Sequence, residues 1–100
     1  MSNEKITILD ERDKVKSTLI SLPVSGWNSS SKSQTVTVAG ILADESKQLI
    51  IPMPTIASQE TYYDASVKCV AQAANSLTFE CDTIPTAVIS IYVAVQEVGA

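Results

Sequence analysis

The stretch from Ser66 to Asp82, SVKCVAQAANSLTFECD, constrains the fold more than any other part of this chain. Two arms of alternating residues flank the small-residue turn Ala73-Ala74-Asn75-Ser76. In the first arm Val67, Cys69 and Ala71 point one way, with Lys68, Val70 and Gln72 the other. In the second, Leu77, Phe79 and Cys81 alternate with Thr78, Glu80 and Asp82. Period-two alternation on both sides of a tight turn predicts a β-hairpin. Opposed residues of a hairpin share a face, so pairing Ala73 with Leu77 sets Ala71 against Phe79 and Cys69 against Cys81. That register collects the apolar side chains of the second arm on one buried face, whereas a one-residue slip would turn them to water.

Other strands read in the same way. Lys16–Leu22 alternates Thr18, Ile20 and Leu22 with Ser17, Leu19 and Ser21, and Pro23 stops it. QTVTV at 34–38 places Val36 and Val38 on one face and Thr35 and Thr37 on the other. Leu49-Ile50-Ile51 is closed by Pro52 and Pro54, which suits a sheet edge. Thr86–Gln96 is the longest candidate, with Ile89, Ile91, Val93 and Val95 on one face and Val88, Tyr92 and Ala94 on the other. Apolar residues on both faces predict a central strand or a subunit contact. Ser58–Ala65 (SQETYYDA) is the one helical candidate, with Ser58 as its N-cap. Six or so short strands joined by Pro, Gly and Ser-rich turns predict a mainly β fold, an antiparallel β-sandwich or small barrel with one short helix near residues 58–65.

One hundred residues make one domain of modest core. Residues 1–16 hold eight of the eighteen charged residues and balance to zero, which marks them as a charged N-terminal arm on a β domain spanning 17–100. Ile6 and Ile8 within the arm alternate like a short strand able to pair at a sheet edge. The remaining 84 residues carry the whole −4 net charge on ten charged side chains. This is sparse beside the roughly 25–35% charged surface of a well-behaved small monomer. Sparse charge and a two-sided last strand together predict a homo-oligomer. Clustered Lys and Arg are missing, so nucleic acid is not an expected partner. No apolar run approaches a membrane span, and the N-terminus has no apolar signal core, so a soluble protein made in the cytoplasm is expected.

Candidate chemistry is thin. The chain has no His, its three Gly are isolated, and two Cys alone cannot complete a zinc site. No catalytic, cofactor-binding or metal-binding residue is assigned, no cofactor is expected, and the chain reads as a non-enzyme. Cys69 and Cys81 read as free, buried core thiols, because directly opposed Cys on adjacent strands strain a disulfide. Glu60 with Asp64, and Glu80 with Asp82, are the pairs to test for glycosidic cleavage; they read as solvated surface charges. Trp27, Tyr62 and Tyr63 admit two readings. A large aromatic such as Trp27 anchors a core, or the three together form a platform for a sugar ring on a host surface glycan.

The order of these landmarks resembles a C-terminal module recurrent in structural proteins of phages and prophages of Gram-positive bacteria. The resemblance runs from Leu19 to Val95. It comprises the strand leading to Trp27, QTVTVAGILAD at 34–44, Pro52 and Pro54, Tyr63-Asp64-Ala65, VKCVAQAANSLTFECD at 67–82, Pro85, and IYVAV at 91–95. Asn75 and Ala87 depart from that pattern, which usually has Gly and an acidic residue there. The resemblance implies a virion component of tail-fibre, baseplate or head-fibre type, often trimeric and without catalytic residues in this module. A homotrimer in contact with other virion proteins is therefore the expected assembly; residues 1–16 lie outside the resemblance and, as a separate inference, read as an attachment arm.

Overall fold

The computed structural model describes residues 15–98. They form strands β1 (Val15–Leu22), β2 (Ser33–Thr37), β3 (Gln48–Pro54), β4 (Lys68–Ala73), β5 (Ser76–Glu80) and β6 (Ile89–Glu97). A single α-helix, α1 (Gln59–Asp64), precedes β4. The strands make two antiparallel sheets of three, ordered β1-β6-β3 and β2-β5-β4. Both sheets are open, so the architecture is a small β-sandwich and not a closed barrel. Of the charged arm expected over 1–16, only Val15 and Lys16 are described, and they open β1; the rest lies outside the described residues.

β6 is the centre of the first sheet, in register with both neighbours: Leu19 and Met53 oppose Tyr92, and Ile20 and Pro54 oppose Ile91. Ile89, Ile91 and Val93 point inward and are fully buried, in one core cluster with Leu77 and Phe79 of β5. Leu22, Val38, Ile41, Trp27, Tyr62, Ala65, Val67 and Cys81 complete the core. Burying side chains of this size contributes about 1.5–3 kcal/mol each, which is what holds two sheets with so few strands together.

The central hairpin forms, but its register differs from the alternation. The turn has two residues, not three: Ala73 opposes Ser76 and Gln72 opposes Leu77. Asn75 sits at φ 60, in the left-handed region that Asn tolerates better than most side chains. It is held there by the loop after β2, because its N–H donates to Ile41 O (2.8 Å), its carbonyl accepts from Val38 N (2.9 Å) and its Oδ1 accepts from Gly40 N (3.0 Å). A β-bulge between Cys69 and Ala71 then leaves Val70 without an opposite residue. The bulge resets the parity of β4, so Cys69 faces Phe79, Ala71 turns outward beside Thr78, and Gln72 takes the inward position. Cys69 and Cys81 are therefore not opposed. Asn75→Ala should cost about 2 kcal/mol, from the left-handed backbone and one lost hydrogen bond. Asn75→Gly should cost about 1 kcal/mol, and urea unfolding followed by Trp27 emission measures both.

The helix lies where the sequence places it, with Ser58 at its N-cap position and Ala65 at its C-cap, but Ser58 caps it by position alone. A 3-10 turn over Ile56–Ser58 leads into it, and Thr55 supplies the side-chain cap, Oγ1 accepting from Ser58 N at 3.3 Å. Ser58 makes no cap bond; its Oγ accepts from Ser90 N (2.9 Å), fastening the helix to β6. At the other end Ser66 adopts φ 55, and the N–H groups of Ser66 and Val67 close on Tyr63 O and Tyr62 O.

Candidate association surface

The two sheets present outward faces of opposite character. On the second sheet, outward positions are Thr35 and Thr37 of β2, Ser76, Thr78 and Glu80 of β5, and Lys68, Ala71 and Ala73 of β4. Thr35 and Thr78 share a hydroxyl hydrogen bond of 2.8 Å, and Lys68 stands opposite Glu80. Such a face is well solvated. On the first sheet, cross-strand rows read Val15–Gln96–Leu49, Ser17–Ala94–Ile51 and Leu19–Tyr92–Met53, closed by Ser21–Ser90. None of these side chains is charged. The third row is apolar throughout, and Leu19, Tyr92 and Met53 are 57%, 50% and 57% exposed. Monomers rarely expose a contiguous apolar patch beyond a few hundred Å² unless something binds there.

Of the two expectations for the last strand, the structure shows the first, a central strand. β6 is central, buried on its inner face, and its outer face lies uncovered in the described structure. The contributions of Leu19, Leu49, Ile51 and Met53 were not visible in the sequence, because they depend on which strands flank β6. The consecutive apolar residues Leu49-Ile50-Ile51 were the available signal, since a strand without alternation is apolar on both faces.

The aromatic platform is not built. Trp27 and Tyr62 are each 7% exposed, and only Tyr63, at 62%, is accessible. Trp27 is a core residue, as the first of the two readings had it, and its buried indole N–H meets no acceptor among the described residues. Tyr62 and Tyr63 pack edge to face with centroids 5.2 Å apart and planes at 87°, so they offer no common flat surface to a sugar ring.

A groove of about 700 Å³ lies between the β3 and β4 edges, lined by Ile50, Pro52, Tyr62, Val67 and Leu77 with Glu45 at its side. Neither Glu60 with Asp64 nor Glu80 with Asp82 enters it; Glu60, Asp64 and Asp82 are exposed, and Glu80 lies on the outward face of the second sheet. Asp44, at the start of the 3-10 turn over Glu45–Lys47, accepts from the Ser46 hydroxyl (2.6 Å) and amide (2.9 Å), which hold its carboxyl below the usual range. Among the described residues no three His, Cys, Asp or Glu side chains gather as metal ligands, and no helix is long and apolar enough to cross a membrane.

Both thiols are free, Cys69 half-buried and Cys81 buried. Burial pushes both upward; at Cys69 a contact with Ala71 O works the other way, and at Cys81 Lys32 does so. Burial likewise raises the Tyr62 phenol, reinforced by Tyr63 and Cys69. A neutral acid whose folded pKa is raised stabilises the fold fully below its unfolded pKa and loses that contribution as pH rises through the folded value. Stability should therefore decline from about pH 8.5, where thiols begin to ionise in the unfolded chain, and further above about pH 10. Urea midpoints between pH 7 and 11 should show the decline, and Cys69→Ala with Tyr62→Phe should flatten it.

Compared with known proteins, the chain matches no family model, no curated protein and no solved structure.

Proposed function

We propose that this chain is a non-enzymatic, self-associating structural module of the kind built into phage or prophage virions, in a fibre or appendage. The uncharged, apolar outer face of the β1-β6-β3 sheet carries the proposal. Its occupant is a second copy of the chain. A charged partner would find no charged side chain on this face, whereas a second copy brings the same apolar row of Leu19, Tyr92 and Met53 as its complement. The hydroxyl-rich face of the other sheet serves as an internal comparison, with the same strand count and the same chain but no apolar row. Virion membership is supported by the resemblance of residues 19–95, which also implies three copies.

Light scattering across a concentration series tests the association. Growth of the mass above one chain is expected, and a monomer independent of concentration overturns the proposal. The virion part has its own test: genes flanking this one should encode tail or capsid assembly proteins, and a metabolic operon in their place would sink it.

A further inference from the structure

Sheet edges expose unpaired backbone N–H and C=O groups, and soluble proteins blunt them with short strands, prolines, bulges or covering segments. Three of the four edges here are blunted, each differently. β3 carries Pro52 and Pro54, which have no N–H to offer. β4 is bent by the bulge at Val70. β2 has only five residues and is bordered by the 23–28 segment, with Gln34 Nε2 donating to Pro23 O (3.1 Å) and Asn28 N to Ser33 O (2.9 Å). Among the described residues β1 has none of these devices. It runs eight residues, VKSTLISL, with no proline, no bulge and one charge, and no described strand pairs with its free side.

We infer that β1 pairs antiparallel with β1 of a second copy about a two-fold axis, joining two sandwiches through one six-stranded sheet, β3-β6-β1-β1-β6-β3. The idea rests on the self-association proposed above and specifies how it begins. Register follows from the faces. Directly opposed residues must share a face, so the axis passes through a residue and not between two. Placing it at Leu19 sets Ser17 against Ser21 and Lys16 against Leu22, so the only charge on β1 never meets its copy. The row Met53–Tyr92–Leu19 then continues into Leu19–Tyr92–Met53 of the second copy, giving one uninterrupted apolar row across six strands.

Area favours this order of events. Three strands of eight residues have a flat footprint of roughly 14 Å by 26 Å, about 370 Å². That is less than half of the about 800 Å² per partner in a standard stable interface. Two sandwiches joined at β1 present about twice the footprint, enough for one pair to cover another. The assembly so built contains an even number of chains, which sets it apart from the trimer that the resemblance implies.

Amide hydrogen exchange by NMR on the whole chain, at concentrations bracketing the rise in mass, tests the pairing. In an edge strand every second amide points away from its neighbour. Those amides of Lys16–Leu22 should exchange freely in the monomer and slow at least tenfold as the mass doubles. Ser17→Pro and Thr18→Pro form the second arm, since one of these adjacent N–H groups points outward. That variant should keep the native Trp27 emission and remain monomeric. Assembly with β1 amides still freely exchanging overturns the edge pairing while leaving self-association through the face intact. A closed trimer overturns the edge pairing as well. A monomer at every concentration removes both.

Discussion

Replacing Leu19 and Tyr92 together with glutamate should abolish self-association and leave the fold intact. Both side chains are about half exposed in the single chain, so the substitutions disturb no packed interior. In an assembly they would be covered, and because about half of each is already buried, each lost apolar side chain then removes about 0.8–1.5 kcal/mol of association energy. Two per copy make four across a contact between two copies, which corresponds to at least about a hundredfold weaker dissociation constant before the cost of desolvating the new carboxylates is counted. Sedimentation at concentrations where the parent chain is assembled reads the result directly. Thr37→Glu, on the outward face of the other sheet, should leave the mass unchanged. If it dissociates the assembly equally well, the loss reflects overall charge and the first sheet is not the contact.

The second large effect lies inside. Phe79→Ala should destabilise the domain by about 3–5 kcal/mol, the range for deleting a buried aromatic ring. Phe79 is fully buried at the centre of the second sheet, opposed by Gln34 on one side and Cys69 on the other. The polar end of Gln34 is engaged with Pro23 O and cannot swing in to fill the space. A domain of this size has about 5–15 kcal/mol in total, so the variant should melt some 15–30 °C lower. Thermal unfolding followed by circular dichroism would show it, and a drop of only a few degrees would mean that the two sheets do not meet where Phe79 sits.

Much of the architecture was legible because it is local. Pro23 ending β1, the alternation of 34–38, the turn at Asn75 and the prolines of β3 are each visible within a few residues. The hairpin register was legible only up to the bulge. The alternation of Val67, Cys69 and Ala71 continues smoothly in the sequence, and nothing in those residues announces that Val70 is left unpaired. The Asn75 contacts that favour the two-residue turn come from Val38, Gly40 and Ile41, more than thirty positions away. The helix start was legible in position but not in bonding: Ser58 is the N-cap residue, yet its hydroxyl serves Ser90 N and not the first turn. The candidate surface was half legible. Tyr92 and Ala94 declared β6 two-sided, whereas the apolar row appears only once β1 and β3 are set on either side of it.

The order of strands has a consequence for synthesis. The centre of the first sheet is β6, and it follows every other described strand. As the polypeptide leaves the ribosome, the β4–β5 hairpin can close by itself and recruit β2. β1 and β3 cannot form their β6 ladders until residues 89–97 have emerged, because among the described strands each bonds only to β6. Pairing across so long a span of sequence is slow, in the range of milliseconds to seconds for small β proteins. For that interval VKSTLISL and QLIIPMP are both unpaired, and nascent chains on one polysome are close enough to find each other's β1 before their own sixth strand arrives.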